Sequence, residues 1–140
     1  MEEKLKPVVV DVKQVKPFGD CSIYESRMIL DHCITGRDNV IQVNHGTVKA
    51  GKKLGGAAHE EDEIYYILTG KGKLKLDDEI IDIHSGQIIF IPKGVFHALD
   101  NSMSDEDMTI LTMWRYYEYN DAYVERMKAW GKSFKTIDED

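Results

Sequence analysis

Along the first 115 residues, short runs rich in Val, Ile and Tyr alternate with clusters of Gly, Asp and Asn at close intervals. That is the pattern of an all-β sandwich or barrel. The runs predict eight strands: Val8–Val15, Ser22–Leu30, Val40–Val48, Glu63–Leu68, Gly72–Leu76, Ile80–His84, Gln87–Ile91 and Met108–Tyr116. Lys71, Lys73 and Lys75 alternate with Gly72, Leu74 and Leu76, so one face of that strand is wet and the other buried. A slip of one residue would invert the faces, which pins the register. Leu76-Asp77-Asp78-Glu79 reads as a tight hairpin turn. Eight short strands suit a jelly-roll barrel.

After Tyr119 the period becomes helical. Asn120 and Asp121 can cap a helix in which Tyr123, Met127 and Trp130 fall at i, i+4 and i+7, with Gly131 as a stop. The expected organisation is a barrel over residues 1–119 with a C-terminal helix and tail over 120–140 packed on it. The aromatic stripe reads as a face covering core in preference to a lid or a dimer contact. There is no internal repeat and no linker long enough to divide the chain.

Composition narrows the classes. The chain of 140 residues fits one domain and is too short for separate cofactor and substrate lobes. A net charge of −7, with the basic residues scattered, argues against nucleic acid as a partner. At 42% hydrophobic and 31% charged residues, the chain can build a core and is not of disordered type. Ile64–Leu68, the longest apolar run, is five residues, far below the roughly 20 of a membrane-spanning helix. The opening MEEKLKP lacks the features of a secretory signal, so a cytoplasmic address is expected. Cys21 and Cys33 have no metal-site or redox spacing and read as small, partly buried side chains. Val8–Val15, as an edge strand with unpaired backbone groups, makes a homodimer the expected state.

The chemistry is concentrated between Gly51 and Asn101. The segment GQIIFIPKGVFHALDN carries Gly86, Pro92, Gly94, His97 and Asn101, and resembles the second signature of the cupin superfamily at every position which that signature specifies. The segment GKKLGGAAHEEDEIYYILTG resembles the first signature, with Gly51, His59, Glu63 and Gly70 in place and Ala57 where the family has its first histidine. The resemblance covers about fifty residues. It implies a jelly-roll fold, a small-molecule ligand and a metal site reduced from four ligands to three. It also implies a choice among dioxygenase, isomerase, lyase and purely binding functions that fold analogy cannot make.

The residues support a site without the family. Glu63, Tyr65 and Ile67 share one strand face, with His59 just upstream. If the strand ending near Pro92 lies alongside, the turn at Lys93 and Gly94 brings His97 back to the same interior. Two imidazoles and a carboxylate then form a facial triad of the kind that binds a transition metal and keeps positions open. The ligand set carries no thiolate, which points to Mn, Fe, Ni or Zn. Two readings remain: a divalent ion with water or substrate beside Ala57, or a pocket that has lost its metal and works as an acid/base site or a sensing module. His45 and Tyr65 are the candidates for orienting a substrate or moving a proton, although His45 lies in an apolar row with Ile41, Val43 and Thr47 and is equally readable as a core histidine. Glu60, Glu61 and Asp62 read as a solvated rim from which one carboxylate can stand in for the missing ligand. His84 and His32 fall outside the site. The expected function is metal-dependent chemistry on a small polar molecule such as a sugar or a hydroxy or keto acid, the alternative being a non-catalytic binding cupin.

Overall fold

Nine antiparallel strands account for most of the described residues. The computed structural model of the chain describes residues 6–17, 20–37 and 41–115, so the helix and tail expected over 120–140 lie outside the described residues. The strands are β1 Tyr24–Leu30, β2 Ile41–Val48, β3 Lys53–Ala57, β4 Glu63–Thr69, β5 Lys71–Leu76, β6 Glu79–His84, β7 Ile88–Ile91, β8 His97–Asp100 and β9 Met108–Arg115. They form a five-stranded sheet in the order β1-β2-β9-β4-β7 and a four-stranded sheet in the order β3-β8-β5-β6. This is the jelly-roll barrel that the strand pattern implied. A single helical turn, α1, spans His32–Thr35 and is begun by Asp31, whose carboxylate accepts the Ile34 N–H at 2.7 Å. No helix among the described residues is long and apolar enough to cross a membrane.

Register decides which side chains enter the barrel. In the five-stranded sheet Gln42, Trp114 and Glu63 are Cα partners in one row, Asn44, Thr112 and Tyr65 in the next, and Gly46, Ile110 and Ile67 in the third. Directly opposed residues project to the same face. Ile67 and Ile110 have no exposure, so this face is the interior. The apolar end is closed by Val48, Ile67, Leu74, Leu99, Met108 and Ile110, each worth about 1.5–3 kcal/mol on full burial. The other end is lined by the two polar rows. In β5, Leu74 is fully buried and Lys73 is exposed, as the Lys/Leu alternation requires. Asp77 and Asp78 form the β5–β6 turn, with Asp77 in the left-handed region at φ 51°.

Three expectations change. Val8–Val15 is not a strand: Val12–Gln14 is one 3-10 turn, capped by the Asp11 carboxylate accepting the Lys13 N–H at 3.0 Å, and Val9 stands almost wholly in solvent. A short acidic side chain that bonds its own backbone competes with strand pairing, and the edge on which the homodimer was argued is therefore missing. Conversely, β3 and β8 are strands in segments read only as motif. β3 is glycine-rich, with weak propensity, yet Gly56 is what allows it to lie against β8, because a Cβ there would collide with the His97 carbonyl. Finally, the row Ile41, Val43, His45 and Thr47 is the outer face of β2, and Gln42, Asn44, Gly46 and Val48 face inward.

Candidate metal centre

His59 sits in the loop joining β3 to β4, and that loop is held to the β7–β8 turn at two points. The His59 carbonyl accepts the Gly94 N–H at 2.7 Å, and the Asp62 carboxylate accepts the Lys93 N–H at 2.9 Å. Gly94 can take its φ of +82° there without steric cost. Glu63 opens β4 on the interior face, opposite Trp114 and Ile91. His97 opens β8, with Ala57 of β3 on one side and Leu76 of β5 on the other. Turn, strand end and strand end thus deliver three side chains to one point.

The contacts among them are specific. Nε2 of His59 lies 3.6 Å from Glu63 Oε2, and Nε2 of His97 lies 3.3 Å from Glu63 Oε1. The imidazole centroids are 4.8 Å apart at 87°. One ligand atom from each residue falls within 4.8 Å of the others, with Glu63 and His97 buried and His59 partly so. The far nitrogens are held as well: His59 Nδ1 is 3.0 Å from the Glu61 carbonyl and His97 Nδ1 is 2.9 Å from the Val95 carbonyl. A carbonyl can only accept, so each Nδ1 carries a proton, and Nε2 is the ring atom turned to the carboxylate and placed to take a metal. Two such nitrogens and a carboxylate meeting in a buried space form a ligand set for a positive charge between them. This donor set fits a divalent transition metal.

The electrostatics follow from the same packing. Burial alone would raise the Glu63 carboxyl, but hydrogen bonds from His59 and His97, together with their charge, bring it down to about 2. Burial first, and then the neighbouring Glu63 charge, push the Tyr65 phenol well above its ordinary range, so its hydroxyl keeps its proton. A depressed carboxylate stabilises the fold above its unfolded value and loses that contribution as pH falls through the folded one. The metal-free protein is therefore expected to lose stability progressively between about pH 4.5 and 2, and Glu63→Gln should flatten that limb of the curve in acid denaturation followed by circular dichroism.

The other sequence candidates fall as follows. Tyr65 lies one row from Glu63 on the interior face, its ring 5.8 Å from that of His97 and edge-on. His45 projects from the outer face opposite Arg27 and Leu111, half-buried, away from His59, Glu63 and His97. Burial first, and then the Arg27 charge, lower its pKa. Glu61 approaches His59 at Nδ1, 3.4 Å away, on the ring edge turned from the centre, and Asp62 is engaged with Lys93. Ala57 pairs with His97 and so shares its inward face, which places the absent fourth side chain beside the cluster. His84 is exposed, and the His32 side chain lies outside the described ones. The polar interior rows were missed. Their signal was present in the alternation of Gln42 and Asn44 against Ile41 and Val43, but with polar side chains inward it is inverted relative to an ordinary core strand.

The closeness of β3 and β8 gives a prediction. Gly56→Ala should push the His97 backbone away, lowering stability by about 1–3 kcal/mol and weakening metal binding by about tenfold. Calorimetric titration checks this, and a variant with undiminished metal affinity would show that His97 is not placed by that contact.

Comparison with known proteins agrees with this architecture. The family model described as "Cupin domain" matches residues 44–114. An uncharacterised protein of Methanocaldococcus jannaschii, MJ1618, is 40% identical over 43 residues, a match that covers 31% of this chain and about a third (34%) of that protein. The crystal structure of a predicted oxalate decarboxylase of Thermotoga maritima superposes with a TM-score of 0.67 at 22% identity, covering 77% of this chain and 98% of that one. The polyketide cyclase RemF of Streptomyces resistomycificus gives a TM-score of 0.67 at 20% identity, covering 79% and 80%. At such identities the two structures share the fold with this chain.

Proposed function

Since the chain belongs to the cupin domain family, we propose that His59, Glu63 and His97 hold a divalent transition metal, one of Mn, Fe, Ni or Zn, and that a small polar molecule such as a sugar or a hydroxy or keto acid reacts beside it. The observation that carries this reading is the pair of Nε2 atoms aimed at separate oxygens of one buried carboxylate, each ring fixed by a backbone carbonyl on Nδ1. When bound, such an ion polarises a carbonyl or hydroxyl oxygen of the substrate. The chain's own contributions are separate. Glu63 supplies the negative charge, the two imidazoles offer Nε2, and Tyr65 offers a protonated hydroxyl from the adjacent row to orient substrate or pass a proton.

The oxalate decarboxylase and polyketide cyclase neighbours are consistent with chemistry on oxygen-rich substrates, and a turnover screen over hydroxy and keto acids tests the reading. Activity should vanish with a strong chelator and return with one metal. Activity indifferent to chelation would reject it. Ala57 favours a second reading, a binding module with a weakened site, which predicts metal and ligand binding without turnover.

The same residue offers a direct manipulation. Ala57→His should restore a fourth ligand, tighten metal binding by about tenfold or more and reduce any turnover by filling the position open to substrate. Unchanged affinity in a folded variant would mean that this side of the centre is not the vacant one. Pairing of two copies is also proposed, through the outer face where Tyr66, Ile88 and Phe90 are exposed. A solution mass of one chain would reject it.

A further inference from the structure

Resting on the metal reading above, we infer that Gln42 sets the specificity of the site, selecting a ligand that is held at the metal by one end and carries an uncharged hydroxyl at the other. Gln42 is 2% exposed and lies in the interior row with Trp114 and Glu63. Two strand spacings, roughly 10 Å between backbones, separate it from Glu63, and the two side chains reach into the same barrel end. Its Oε1 is buried and has no hydrogen-bond partner. The adjacent row shows that this is not a general property of the wall. Asn44 accepts from Ser26 Oγ at 2.7 Å and donates through Nδ2 to the Tyr24 hydroxyl at 3.2 Å.

A buried amide carbonyl without a donor is costly, and its chemistry defines the complement, because Oε1 can only accept. The matching ligand atom must therefore bring a proton. It must also be neutral when it is an oxygen. No Lys or Arg is buried among the described residues, so a second carboxylate at this end would lose its water and gain no counter-charge. An acid with a distal hydroxyl suits the wall; a dicarboxylate of the same length does not.

The test uses zinc-loaded full-length protein and three probes of one carbon skeleton: 2,4-dihydroxybutanoate, 2-hydroxybutanoate and malate. Zinc affinity is measured first, then probe affinity, both by calorimetry. The wild type should bind 2,4-dihydroxybutanoate about tenfold tighter than 2-hydroxybutanoate, with malate weakest. Gln42→Met should abolish the preference for the hydroxyl, leave zinc affinity unchanged, and hold or raise the thermal midpoint, because the unsatisfied carbonyl is gone. Failure of the wild type to bind zinc would overturn the metal reading and this inference with it. Zinc bound without discrimination among the probes, malate bound tightest, or a preference that survives in Gln42→Met would overturn this inference alone.

Discussion

Replacing His97 with alanine is expected to lower metal affinity by at least about a hundredfold, the scale on which loss of one ligand from a site of three is felt. The imidazole is one of two rings on Glu63, its Nε2 3.3 Å from the carboxylate and its Nδ1 tied to Val95, and neither of its flanking strand partners, Ala57 and Leu76, has a side chain that can substitute. His84→Ala is the matched control, since that ring is exposed and its Nδ1 faces the Ser85 carbonyl. Competition against a chelator of known affinity reads the difference. A His97→Ala protein that holds metal as tightly as wild type would remove His97 from the centre.

The largest effect on stability is expected at the opposite end of the barrel. Asn101 is 1% exposed, and its Nδ2 donates to the carbonyls of Val48 at 3.1 Å, Lys49 at 3.3 Å and Glu106 at 2.8 Å. Its own N–H donates to the Lys52 carbonyl at 2.9 Å. One amide thus ties the end of β2 and the turn after it to the loop that leads into β9. Asn101→Ala strands those carbonyls at a cost of about 2–4 kcal/mol, and Asn101→Asp should cost more, because a carboxylate brings charge and no donor to the same oxygens. Urea denaturation measures both. Metal affinity should be untouched in the folded fraction, as the clamp closes the apolar end beside Val48 and Met108. A loss below 1 kcal/mol would mean that water replaces the amide without penalty.

Much of this could be read from the residues in order. The Lys/Leu alternation of β5, the turn at Asp77 and Asp78 and the fixed spacing of Gly86, Pro92, Gly94 and His97 are local signals, and local signals survive folding. The clustering of His59, Glu63 and His97 followed from strand period plus one turn. Less legible was whatever depends on a partner. Val8 to Val10 look like strand, but a strand exists only with a neighbour to bond, and Asp11 gives the backbone a nearer acceptor. β3 reads as too rich in glycine to be a strand until the His97 carbonyl is placed against Gly56. His45 stood out in an apolar row because apolar rows usually face inward. Here the inward row is the polar one, Gln42 and Asn44, and the apolar row faces out. The usual pattern is reversed on the strand that shares the interior with His59, Glu63 and His97, so the misreading arises beside the candidate site itself.

The account depends most on a cation shared by His59, Glu63 and His97. Crystals of the protein with stoichiometric metal, measured at and below that metal's absorption edge, test it most directly. An anomalous peak within about 2.0–2.2 Å of both Nε2 atoms and a Glu63 oxygen is the predicted result. Metal present in the crystals with its peak elsewhere, and none among these three side chains, would contradict it.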